Sequence, residues 1–86
     1  MEKSIHSAQY AIFLKAFRHA RLHAGLTQAE LAKLVGESQS FISKCERGER
    51  RVDVVELRAF CRAFGLTLKQ FAGILERTIE TRRRSR

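Results

Sequence analysis

The chain has no proline in its 86 residues, so every helix end must be signalled by some other residue. Cysteine is nearly as scarce. Cys45 and Cys61 stand among apolar neighbours with no CxxC spacing. That excludes a disulfide framework and a cysteine zinc site, and marks both as small core side chains of a reducing compartment. No apolar run approaches the ~18 residues of a membrane span, and the N-terminus lacks the continuous apolar stretch of a secretory signal. A cytoplasmic location with no membrane association is therefore expected. Acidic residues are also few: nine, against seventeen Lys and Arg, leaving a formal charge of +8 and a pI near 10.5. In a small chain that balance favours a polyanionic partner, nucleic acid before anionic membrane. The charge is uneven, with six basic residues up to position 46 and eleven after it.

The 44% hydrophobic content is that of an ordinary globular protein, so wholesale disorder is not expected. Gly25, Gly36, Gly48 and Gly65 stand where helices should stop, each free to take a left-handed terminal conformation. Start signals follow three of them. Thr27 with Glu30, Asp53 with Glu56 and Thr67 with Gln70 fit capping boxes. Leu26 with Leu31, Val52 with Leu57 and Leu66 with Phe71 bracket those caps at hydrophobic-staple spacing. Ser38 is a further cap with neither box nor staple.

These signals predict five helices, over about 7–24, 28–35, 39–47, 54–64 and 68–81. The apolar spacing sets Phe13, Phe17 and Ala20 on one side of the first helix. It does the same for Leu31, Leu34 and Val35 on the second, Leu57, Phe60, Cys61 and Phe64 on the fourth, and Leu68, Phe71, Ile74 and Leu75 on the fifth. Gly73 sits inside the fifth helix at a cost of ~1 kcal/mol relative to alanine, which points to a close helix contact or an early fray. The expected organisation is one domain over 1–81 and a basic tail over 82–86, carrying Arg82, Arg83, Arg84 and Arg86.

The third helix carries the functional signal. Ile42 and Cys45 share its inner side, while Gln39, Ser40, Ser43, Lys44 and Arg47 follow one another around the other side in i, i+4 steps. An ordinary solvated face would pair glutamate with lysine. This one holds side chains able to donate to base edges and has no acid to repel phosphate. Glu46, the acid of that helix, falls toward the inner side by its spacing from Ile42.

The segment LTQAELAKLVGESQSFISKCERGER resembles the helix-turn-helix of the phage Cro and repressor class, the XRE family. The resemblance rests on Leu26-Thr27-Gln28, Ala32, Gly36, Ser38-Gln39, Ile42-Ser43 and Glu46-Arg47-Gly48, and extends from about Phe17 to Leu75. It implies an all-α, five-helix lambda-repressor-like DNA-binding domain whose second and third helices form the helix-turn-helix. It further implies that the third helix lies in the major groove with Gln39, Ser40, Ser43 and Lys44 near base edges. Gln28 would grip a phosphate at the start of the second helix, and Arg47, Arg50 and Arg51 would meet the backbone. Arg21 and Glu46 match positions that form an inward ion pair in several family members; the alternative is an exposed pair worth less than ~1 kcal/mol. Phe41 departs from the small polar residue common there, and two placements stay open: against the second helix, or toward a thymine methyl or sugar.

Other constellations point nowhere stronger. His19 and His23 lie one turn apart, a spacing that can hold zinc, but no third ligand is near and a surface pair is expected. No phosphate loop, nucleophile elbow or carboxylate pair appears, so neither catalysis nor a cofactor is expected. The expectation is a sequence-specific regulator of transcription, a repressor that binds double-stranded DNA as a homodimer through the exposed side of the fifth helix with Ile74 and Ile79. The rival expectation is an antitoxin-like or other protein-interaction module on the same fold.

Overall fold

The computed structural model describes the backbone of residues 3–84 and the side chains of residues 8–83. Met1, Glu2 and Arg86 lie outside the described residues, as do the side chains of Ser7 and Arg84. Among the described residues all regular structure is helical: α1 (Lys3–His23), α2 (Gln28–Val35), α3 (Gln39–Glu46), α4 (Val54–Phe64) and α5 (Leu68–Arg84).

The local signals act as their chemistry requires. Thr27 Oγ1 accepts from the Glu30 N–H at 3.0 Å while Glu30 Oε1 accepts from the Thr27 N–H at 2.8 Å. Asp53 with Glu56 and Thr67 with Gln70 repeat that reciprocal pattern. Ser38 caps α3 through the Phe41 N–H at 3.1 Å. Each cap satisfies donors that have no partner inside the helix, which is why four starts fall where local sequence puts them. Gly36, at φ +75°, closes α2 and turns the chain into Ser38. At Gly48, φ +79°, a Cβ would also meet Leu14 Cδ1 at 3.1 Å, so both backbone and neighbour favour glycine.

The helix ends depart from expectation where no cap exists. α1 begins at Lys3 instead of 7, since nothing in that stretch forces a stop, and α5 runs on to Arg84. Gly73 marks neither a close helix contact nor a fray. A Cβ there would meet only Arg77 Nη1 at 3.5 Å, and the helix continues for three turns beyond it.

The core is a set of phenylalanine edges. Phe17, from α1, meets Phe60 and Phe64 of α4 nearly perpendicularly, with ring centroids 5.0 and 5.3 Å apart, and Phe13 meets Phe71 of α5 the same way at 6.0 Å. Leu31, Ile42 and Cys61 are fully buried around them. α2 packs on both α3 and α4, and α5 lies along α1 and α4. One residue expected inside turns out, and Ile74, assigned both to the apolar stripe of α5 and to its exposed side, falls on the exposed side. Leu34 is 62% exposed, because the buried stripe of α2 passes through Leu31, Ala32 and Val35, and Ile74 on α5 is 38% exposed.

Candidate nucleic-acid interface

α3 is built to be sealed on one side and open on the other. Ile42 and Cys45 are buried to within 1% and anchor the helix in the core. Burial raises the Cys45 thiol pKa. Gln39, Ser40 and Lys44 are exposed on the outer side and Ser43 is half-buried beside them. The structure thus brings the four candidate base-reading residues together on one surface. Ser43 is partly committed, because its Oγ accepts from Arg47 Nη1.

Behind that surface lies a buried polar junction. Arg21 Nε donates to Glu46 Oε2 at 2.6 Å, and Arg21 Nη2 to Glu46 Oε1 at 3.2 Å. Arg21 Nη1 donates to the Leu26 carbonyl at 2.8 Å. Both side chains of the pair are only 6–7% exposed. Gln28 Nε2 adds a bond to Glu46 Oε1 at 3.0 Å. One junction therefore ties the end of α1, the entry to α2 and the end of α3, with the charge well satisfied. Of the two Gln28 amide hydrogens, one points into this junction, which leaves the other as a spare donor.

The arginines after α3 are held in place by the chain itself. Arg47 forms two bonds to the Glu49 carboxylate, at 2.8 and 3.2 Å. Arg50 donates to both Glu56 oxygens, at 2.9 and 2.8 Å, and to the Arg51 carbonyl at 2.9 Å. These hydrogen bonds hold the Glu49 and Glu56 carboxyls below their ordinary pKa of 4.5 and raise the two guanidinium groups. Arg50 also stacks over the Phe41 ring at 4.5 Å, and Arg51 over the Tyr10 ring at 4.4 Å. Phe41 is half-buried against the core. It leans toward α4, 6.5 Å from Phe60, under the Arg50 guanidinium.

Sequence reasoning missed the Arg50–Glu56–Phe41 brace and the inward Gln28 amide. Glu56 was recognisable as a capping residue, but nothing local tells that its carboxylate also takes Arg50 from the preceding loop. His19 and His23 stack at 6.1 Å on the surface of α1. Among the described residues no three His, Cys, Asp or Glu side chains converge, and no helix is long and apolar enough to cross a membrane.

Comparison with known proteins fits this geometry. A family model described as a helix-turn-helix domain matches residues 9–72. Among solved structures, an XRE-family like protein from Pseudomonas syringae pv. tomato str. DC3000 is 45% identical with a TM-score of 0.82, over 88% of this chain and 93% of that one. The clp gene regulator ClgR from Corynebacterium glutamicum is 26% identical with a TM-score of 0.66, over 90% of this chain and 85% of that one. No curated protein matches the chain.

Proposed function

The chain belongs to the XRE-type helix-turn-helix family, and from that premise we propose a sequence-specific reader of double-stranded DNA that represses transcription by occupying its site. The observation that carries this reading is the two-sidedness of α3: Ile42 and Cys45 sealed in the core, with Gln39, Ser40 and Lys44 exposed and no acid among the helix's own outer residues. With α3 in the major groove, Gln39 and Lys44 make bidentate or paired contacts to base edges, with Ser40 and Ser43 beside them. Gln28 and the start of α2 hold a phosphate. Arg47, Arg50 and Arg51 face the backbone with the guanidinium edges that their internal partners leave over. This is a binding protein acting in the cytoplasm, one domain over 1–81 continued by a basic stretch over 82–86 that begins in the last turn of α5.

Two copies bind together, because one recognition helix reads few base pairs and paired half-sites ~34 Å apart make up the difference. They meet along α5. The two residues expected at that contact sit on different flanks of the helix: Ile79 beside Tyr10, Arg51 and Val52, and Ile74 on the side of Lys15 and His19. The Ile79 flank suits self-association better, since the other carries a row of basic groups that two copies would bring face to face.

Selection of bound duplexes from a random library at ~150 mM salt tests the reading, because non-specific phosphate attraction is already weakened there. A two-fold symmetric motif is expected, and Gln39→Ala or Lys44→Ala should each lower affinity for it by ~1–3 kcal/mol. A pool with no motif overturns the proposal. Sedimentation velocity from micromolar to near-millimolar protein tests the dimer, and a constant monomer mass would remove it.

A further inference from the structure

Away from α3, the seam between α1 and α5 opens into an apolar groove of about 590 Å³. Ile12, Ala16 and Ala20 form one wall, with Leu66, Phe71 and Ile74 opposite. The alanines keep the floor low at i, i+4 spacing, which leaves room for another element to lie along the seam. Lys15, His19 and His23 follow the α1 edge at i, i+4, i+8, and Arg82 stands on the α5 side. All four are exposed, and among the described residues that line the groove none is acidic.

We propose that this groove docks an acidic amphipathic helix of a partner protein, with its apolar face on Ala16, Ala20 and Ile74 and its carboxylates along Lys15, His19 and His23. The charge pattern selects this occupant. Lys15 to His23 spans about 12 Å of helix, a little over two turns, and matches carboxylates repeated at i, i+4, i+8 on a helix laid alongside. Each histidine supplies at least one ring N–H at neutral pH and a positive charge when protonated. A fatty acid has a single headgroup and needs a cation at one end of the groove, not a row along its length. A second copy docked through the same groove would set like charges against one another across a two-fold interface. The recognition mode is that of a helix laid in a groove and read through regularly spaced anchors.

The proposal does not depend on what α3 reads, since groove and recognition surface share no residue. The test displays a library of three-turn amphipathic helices with fixed leucine anchors and a randomised polar flank, and selects it against the full-length protein. Enrichment of Glu and Asp at i, i+4 on one flank is expected, with the selected peptide weakened roughly tenfold or more by Lys15→Glu and lost in Ala20→Glu. Lys15→Glu changes an exposed side chain, so it keeps the test valid if Ala20→Glu unfolds. Neutral or basic flanks, no enrichment, or binding indifferent to Lys15→Glu would each overturn the proposal. So would displacement of the peptide by dodecanoate, or a homodimer in sedimentation velocity that Lys15→Glu strengthens or abolishes. An α3 variant such as Lys44→Ala should bind the peptide unchanged, which separates failure here from failure of the DNA reading.

Discussion

Two arginine–glutamate pairs bracket the C-terminal end of α3, alike in chemistry and opposite in surroundings. Arg21–Glu46 holds the helix from within, both side chains at 6–7% exposure and the carboxylate also taking Gln28. Arg50–Glu56 holds the following loop from outside, at 42% and 28% exposure. The distances hardly differ, at 2.6 and 2.8 Å. Burial decides what each is worth. Water can replace either partner of the outer pair, but it cannot reach a guanidinium left alone in the junction. The outer pair positions Phe41 and the loop, while the inner pair is part of the fold.

The largest expected break is Glu46→Ala, which should cost ~3–5 kcal/mol in urea or thermal unfolding because Arg21 keeps its charge without a counterpart. Arg21→Ala should match it. A loss below ~1 kcal/mol in both would mean that water reaches the junction after all. Next comes Gly73→Ala, expected to stabilise by ~1 kcal/mol, since α5 is regular there and the added methyl meets only the end of Arg77. Its use is to sharpen the comparison, giving the Glu46 variants a background in which they stay folded. Destabilisation instead would show that α5 is more tightly packed at Gly73 than its free space indicates.

Arg50→Ala should lower the melting temperature only slightly, and the loss should shrink further in ~1 M salt, where exposed charges are screened. The Glu46→Ala loss should persist there. The smallest effect concerns pH. Folded Glu49 and Glu56 titrate below 4.5, held down by Arg47 and Arg50. Their contribution is therefore full above the ordinary carboxylate pKa and is lost as pH falls through the depressed values. Unfolding midpoints followed from pH 7 to 3 should fall at the acid end, and Arg50→Ala should flatten that fall. An unchanged slope would show that the outer pair does not persist in solution.

The same contrast separates what could be read in the sequence from what could not. The starts of α2, α3, α4 and α5 were legible because each is decided within four residues, by a cap whose donor and acceptor are neighbours in the chain. The start of α1 was not, because no such signal exists before it. The buried side of α2 was misread at Leu34 because its face is set by where α3 and α4 converge on it, and an isolated helix admits more than one apolar stripe. The outer residues of α3 were readable from spacing alone. Phe41 and Arg50 were not, since their partners on α4 come close only after the loop has folded, and Glu56 gives no local hint of its second bond.

The division of α3 into a sealed and an open side also bears on how such proteins diversify. Ile42 and Cys45 carry the helix's share of folding, so exchange of Gln39, Ser40 or Lys44 leaves the scaffold almost untouched. If α3 reads DNA as proposed above, duplicate copies of this gene would drift to new DNA addresses by single substitutions, without first acquiring a compensating change elsewhere. On that reading the scaffold works as a holder for interchangeable type, its letters carried on the exposed side of one short helix.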